Sequence, residues 1–171
     1  MSDIQSLRTL MRYKAWANEV FFRALSELPE EALVADRQTL FGNMLHTLNH
    51  VHAMDLVWKA HLEGVEHGLA SRNPVTRPSF AELREAQSAI DAWFIDYAGQ
   101  LDANASEEIV HFVFIGGGDG AMSRADMLRH VVTHGSYHRG QVSQMMYQVP
   151  ARPPTTDLPV FLRDAMTIAA S

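Results

Sequence analysis

MLRHVVTHGSYHRGQV, residues 127–142, sets three histidines four residues apart, at His130, His134 and His138. An α-helix turns about 100° per residue, so positions four apart differ by only about 40° and ~6 Å. With Val131 at the origin, Met127, Val142, Met145 and Val149 fall within about 40° of it on that wheel. They form a core-facing stripe. His138 lies inside the stripe, His134 lies on its edge, and His130 and Gln141 lie further round. An imidazole buried without a partner is costly. A core histidine escapes that cost by hydrogen bonding, or two neighbours at i and i+4 escape it together by holding one metal ion, as HExxH helices do. Gly135 stands where such a helix would carry its glutamate, so no helix-borne general base is expected. The spacing leaves hydrogen bonding and metal binding both open.

Working outward, this helix should run from Arg124 to about Gln148, after a cap-like Ser123-Arg-Ala-Asp126 and before Pro150. Upstream, Glu108–Ile115 is rich in β-branched and aromatic residues and precedes Gly116-Gly-Gly-Asp-Gly120. That predicts a short hairpin with a weak second strand at Ala121–Met122. The glycine turn lacks the Lys-Ser/Thr of a phosphate-binding loop. Apolar residues at helical spacing predict a first helix from Asp3 to about Glu27 and a second from about Leu40 to Leu62, stopped by Gly64. The second is apolar almost all round, which implies contact on more than one side. Ser79-Phe-Ala-Glu82 is a capping box, so a third helix should run from there to about Leu101. A short last helix is expected around Val160–Ala169. Four long helices with a hairpin before the fourth define an all-α four-helix bundle, expected as one domain over residues 1–171.

Composition narrows the function. The 171 residues are 47 % hydrophobic with a net charge of −6, and no block of basic residues is present. Nucleic acid and anionic membranes need concentrated Lys/Arg, so neither is an expected partner. There is no cysteine, which excludes disulfides and cysteine-ligated metals; any thiol chemistry needs a thiol from outside. No signal-peptide core and no run of ~18 apolar residues is seen, so a cytoplasmic protein is the default expectation.

A third metal ligand would come from the second helix, where LHTLNHVHAMD carries His46, His50 and His52. Periodicity does not choose among them. His61, His67 and His111 read as surface or loop histidines. Asp55 is a candidate base, although it lies on the Leu48 side of the helix, away from His50. Arg139 should pair with a carboxylate between helices. Gly135 and Gly140 should permit close helix approach. Gln141 should either bond a ligand imidazole or cap a neighbour. Met44, Met54, Met127, Met145 and Met146 read as core filling, and Trp16, Trp58 and Trp93 as core or pocket wall.

TLFGNMLHTLNHVHAMDLVW and MLRHVVTHGSYHRGQV, with MRYKAWANEVFFRAL and TTDLPVFLRDA, resemble the DinB-like (YfiT-type) bundle family over nearly the whole chain. HxxxHRGQ is the most specific part. The resemblance implies an up-up-down-down bundle and one divalent metal ion, zinc, nickel, iron or manganese. It implies His50, His134 and His138 as the ligands, with His130 left either to line the pocket or to make a hydrogen bond behind a ligand. Similar proteins include transferases using bacillithiol or mycothiol and relatives of maleylpyruvate isomerase; a homodimer is implied by the same analogy. Three neutral histidines leave coordination positions open, as a catalytic site requires. The leading expectation is a metal-dependent enzyme acting on a small-molecule substrate, transferring a low-molecular-weight thiol to an electrophile. The alternatives are a metal-dependent hydrolase and a non-catalytic metal-binding stress-response protein.

Overall fold

The computed structural model describes residues 3–74 and 78–169. Residues 1–2, 75–77 and 170–171 of the expected single domain lie outside the described residues. Four long helices dominate: α1 (Asp3–Ser26), α3 (Met44–Glu63), α4 (Phe80–Gln100) and α6 (Arg124–Met146). Two one-turn helices, α2 (Glu30–Val34) and α5 (Ala103–Glu107), were not legible, because five residues carry no periodicity. The hairpin is β1 (Ile109–Val113) with β2 (Asp119–Ser123), and α7 (Leu158–Ala169) closes the chain.

Local chemistry sets the helix ends. Ser79 and Glu82 form the reciprocal capping box that starts α4. Ser123 accepts from the Asp126 N–H at the start of α6. Gly64 ends α3 in the left-handed region at φ 70°. α3 begins at Met44, later than the apolar pattern suggests, because the Asn43 side chain accepts the His46 N–H and caps it there. Leu40 is left exposed, while Phe41 turns inward onto His50. In the hairpin, Phe112 faces Gly120 across the ladder, and the missing side chain at Gly120 leaves room for its ring.

α1 packs on α4 and α6, and α3 packs on the same two helices from the other side. Named contacts fix the directions. Arg8 bonds the Ala98 carbonyl and Arg84 pairs with Glu19, so α1 and α4 are antiparallel. Asp3 pairs with Arg129 and Asn18 with Arg139, so α1 and α6 are parallel. Gln87 bonds Asp55 and Lys59 lies over Trp93, so α3 and α4 are parallel. Arg124 bonds the Leu62 carbonyl while His50 meets His138, so α3 and α6 are antiparallel. The order is therefore up-down-down-up, which corrects the up-up-down-down order implied by the resemblance. α3 and α4, on either side of the link after Gly64, point the same way. The link before α3 is folded on itself: the Arg37 N–H bonds the Gly42 carbonyl at 2.6 Å, and the Arg37 guanidinium bonds the Ala32 and Ala35 carbonyls.

The core is built from Leu7, Met11, Phe94, Met127, Leu128 and Val131 toward one end, and from Phe21, Leu25, Met44, Leu83 and Met145 toward the other. Burying each such side chain contributes about 1.5–3 kcal/mol. The five methionines expected in the core are all buried. No helix among the described residues is long and apolar enough to cross a membrane.

Candidate metal centre

α3 and α6 cross with His50 facing His134 and His138. One ring nitrogen from each of the three lies within 4.8 Å of the others. His46 and His52 stay outside this set, so tertiary packing makes the choice that periodicity could not. His46 packs its ring edge against Phe41, and His52 turns toward the Asp55 and Asp91 charges.

Hydrogen bonds orient two of the three rings. Nδ1 of His50 lies 2.9 Å from the Arg72 carbonyl oxygen and 3.1 Å from Asn73 Oδ1. Carbonyls only accept, so this nitrogen carries the proton and Nε2 is left with a free lone pair. Nδ1 of His138 donates likewise to Gln141 Oε1 at 2.8 Å, since a carboxamide oxygen only accepts. Of the two readings for Gln141, the structure realises the one that bonds an imidazole. Phe41 stacks on His50 with ring centroids 4.5 Å apart and meets His138 edge-on.

The donor set fits a metal ion. Nε2 of His134 and Nε2 of His138 are 3.1 Å apart. Two nitrogens bound about 2.1 Å from one ion, at angles between octahedral and tetrahedral, stand about 3.0–3.4 Å apart. As a purely hydrogen-bonded core the cluster is poorly satisfied. His134 Nδ1 is buried without a partner among the described residues, and at most one proton can lie between the two Nε2 atoms. Burial, together with His138, His50 and His130, pushes the His134 pKa down to about 3. Burial also lowers His50 and His138. The rings are thus neutral at physiological pH, the state in which imidazole ligates.

The cluster opens into a cleft of about 510 Å³, walled by Trp58, His61, His130, Arg72 and the Phe114–Gly117 turn. Of the two roles open to His130 the structure shows the lining one, its ring 4.6 Å from Trp58 and 5.6 Å from His134. His61 does not fit its reading as a surface histidine. It is half-buried in the cleft wall, stacked on Phe112, and burial lowers its pKa. Its helical position beside Trp58 was the available signal, but the hairpin that covers it is distant in sequence. His111 is exposed. Arg72 and Asn73 carried no signal at all, since they stand in a linker.

Asp55 is no base for this cleft. It is fully buried on the opposite side of α3 and pairs with Lys14 Nζ at 2.7 Å. Lys14 also bonds Asp91, and Asn18 and Gln87 donate to the same carboxylates. Burial disfavours the Lys14 charge, but the attraction of Asp55 and Asp91 outweighs it and raises the pKa, so the lysine stays protonated. Arg139 joins through Asn18 Oδ1 at 2.8 Å, not by touching a carboxylate as expected, because Asn18 stands between it and Asp91. Gly135 serves Arg139 more than helix approach: a Cβ there would lie 3.3 Å from the guanidinium. Gly140 faces open space and has no such role.

A mainly helical bundle in which two long helices bring three histidines together at the foot of a cleft defines a class of helical proteins with a candidate histidine metal site. Comparison narrows the class to a family. The DinB family model matches residues 1–169, and the chain belongs to that family. Protein DinB of Bacillus subtilis (strain 168) is similar at 27 % identity over 166 residues, covering 90 % of this chain and 91 % of that protein.

Proposed function

We propose that His50, His134 and His138 hold one divalent metal ion and that the protein is a metal-dependent enzyme transferring a low-molecular-weight thiol to an electrophile. The observation that carries this reading is the convergence of three neutral imidazoles at the foot of a cleft whose described lining contains no Asp or Glu. A metal there would lower the pKa of a coordinated thiol, so that it ionises near neutrality without a carboxylate base. The chain's own residues do the rest. The Arg72 carbonyl, Asn73 and Gln141 hold two ligand rings in the required tautomer. His130, beside His134, is positioned to take the thiol proton. Trp58 and Phe114 supply apolar walls for an organic electrophile and exclude water.

Metal-dependent hydrolysis is the second reading. It is favoured by two cleft imidazoles outside the metal set, His61 and His130, either of which can accept a proton from water. Dependence on added thiol separates the two. The test is metal content of untagged protein, wild type beside His138→Ala, followed by a panel of thiols and electrophiles. About one divalent ion per chain, lost in the variant, together with thiol-dependent turnover supports the proposal. Turnover that ignores thiol supports hydrolysis. Bound metal with no turnover of either kind leaves a non-catalytic metal-binding protein.

A further inference from the structure

The charges around the cleft are unbalanced. Among its described lining residues Arg72 is the one fixed charge and none is a carboxylate, while the charge of Glu66 reaches His61 from outside the lining. His61 and His130 add no negative charge in either protonation state. The Arg72 guanidinium is exposed and makes no hydrogen bond or ion pair among the described residues, whereas Arg124 at the start of α6 is bound by Glu108 and Tyr97. Arg72 is also not a loosely attached surface arginine, because its carbonyl accepts the His50 Nδ1 proton and ties its backbone to the site.

A divalent ion on three neutral imidazoles keeps its full charge. Together with Arg72, the cleft then presents three positive charges in a partly desolvated space, and nothing in the described lining offsets them. An ionised thiol offsets only one. The surrounding protein, at net −6, favours cations elsewhere on its surface, so this cleft is a local exception.

Resting on the thiol-transfer reading, we propose that the small molecule bound here carries a carboxylate in addition to its thiol, and that Arg72 pairs with it and selects it. Arg72 is then a specificity-determining residue. Its planar fork matches a carboxylate in a way a lysine does not.

The test compares two thiols of similar length, 3-mercaptopropionate and 2-mercaptoethanol, which differ in the far group. Each is titrated into full-length protein loaded with cobalt(II), and binding is read from the sulfur-to-cobalt absorption band, without turnover. Wild type should bind the carboxylate thiol about tenfold or more tightly, in line with a hydrogen-bonded charge pair. Arg72→Ala should erase that preference and leave the mercaptoethanol affinity unchanged. The backbone bond to His50 survives this substitution, so the metal site is retained. Arg72→Lys should keep part of the preference. Equal affinities in wild type, or a preference that survives Arg72→Ala, would overturn the role of Arg72 while leaving the thiol reading standing. Binding of neither thiol to cobalt-loaded protein would overturn both.

Discussion

Gln141→Leu should lower both metal affinity and metal-free stability. In the wild type, Gln141 Oε1 accepts the His138 Nδ1 proton at 2.8 Å, which leaves Nε2 deprotonated and aimed at the cluster. Leucine removes the acceptor. A buried N–H left unsatisfied costs about 1–3 kcal/mol, and His138 is only 4 % exposed. The metal-free protein meets that cost too. Moving the proton to Nε2 gives it His134 Nε2, 3.1 Å away, as an acceptor, but the His134 proton must then sit on an Nδ1 with no partner among the described residues. Metal-free stability should therefore fall by about 1–3 kcal/mol. Metal binding should lose more than this, because Gln141 also orients the His138 ring and makes its Nε2 a better donor to an ion. That further cost should appear as about 10–100-fold weaker zinc binding, or about 1.4–2.8 kcal/mol. Competition against a chelating dye measures the affinity, and urea unfolding of metal-free protein measures the stability. Zinc affinity unchanged within about twofold, with stability lowered, would refute the tautomer argument and mean that Gln141 is merely structural.

Lys14→Met should destabilise the protein by about 3–5 kcal/mol, since it strands Asp55 and Asp91 as buried charges, and urea unfolding should show it. Lys14→Met/Asp55→Leu/Asp91→Leu should recover most of that loss; no recovery would mean the polar network does more than neutralise itself. For metal-free protein, the histidine shift fixes the sign of the pH dependence. Unfolded histidine takes a proton below about pH 6.5, whereas folded His134 stays neutral down to about 3. The unfolded state thus binds more protons in that window, and stability falls as pH drops through it. Urea midpoints between pH 7.5 and 5 should show the decline, with a shallower slope in His134→Gln. Gly120→Ala should cost about 1–3 kcal/mol by overpacking, because its methyl group would overlap the Phe112 ring, and thermal unfolding should register it.

Much of the fold was legible because its signals are local. The Ser79 capping box, the Gly64 stop, the glycine turn after β1 and the apolar stripe of α6 each depend on a few neighbouring residues, and each stands where the chain indicates. Lys14 and Asn18 sit at core spacing on α1, so their burial was visible in the pattern, but their carboxylate partners on α3 and α4 were not. Helix order failed the sequence reading for the same reason. The direction of α3 relative to α1 depends on how the Arg37–Gly42 turn folds back, and no periodicity encodes that.

The candidate site divides along the same line. Its histidine pair on α6 follows from the helical repeat alone, because i and i+4 share a face in any α-helix. The third member does not follow. His46, His50 and His52 lie on a helix that is apolar nearly all round, and only the antiparallel packing of α3 on α6 turns His50 toward the pair. Gln141 lies one turn from His138 and could be anticipated. Phe41, Arg72 and Asn73 could not, because they reach the site from loops whose path is set by the ends of other helices. Sequence by itself determined which chemistry is available: imidazoles without cysteine, on an acidic helical scaffold. Tertiary structure decided which imidazoles meet, which tautomer each adopts, and which charge overlooks the cleft, since those depend on contacts between segments far apart in the chain.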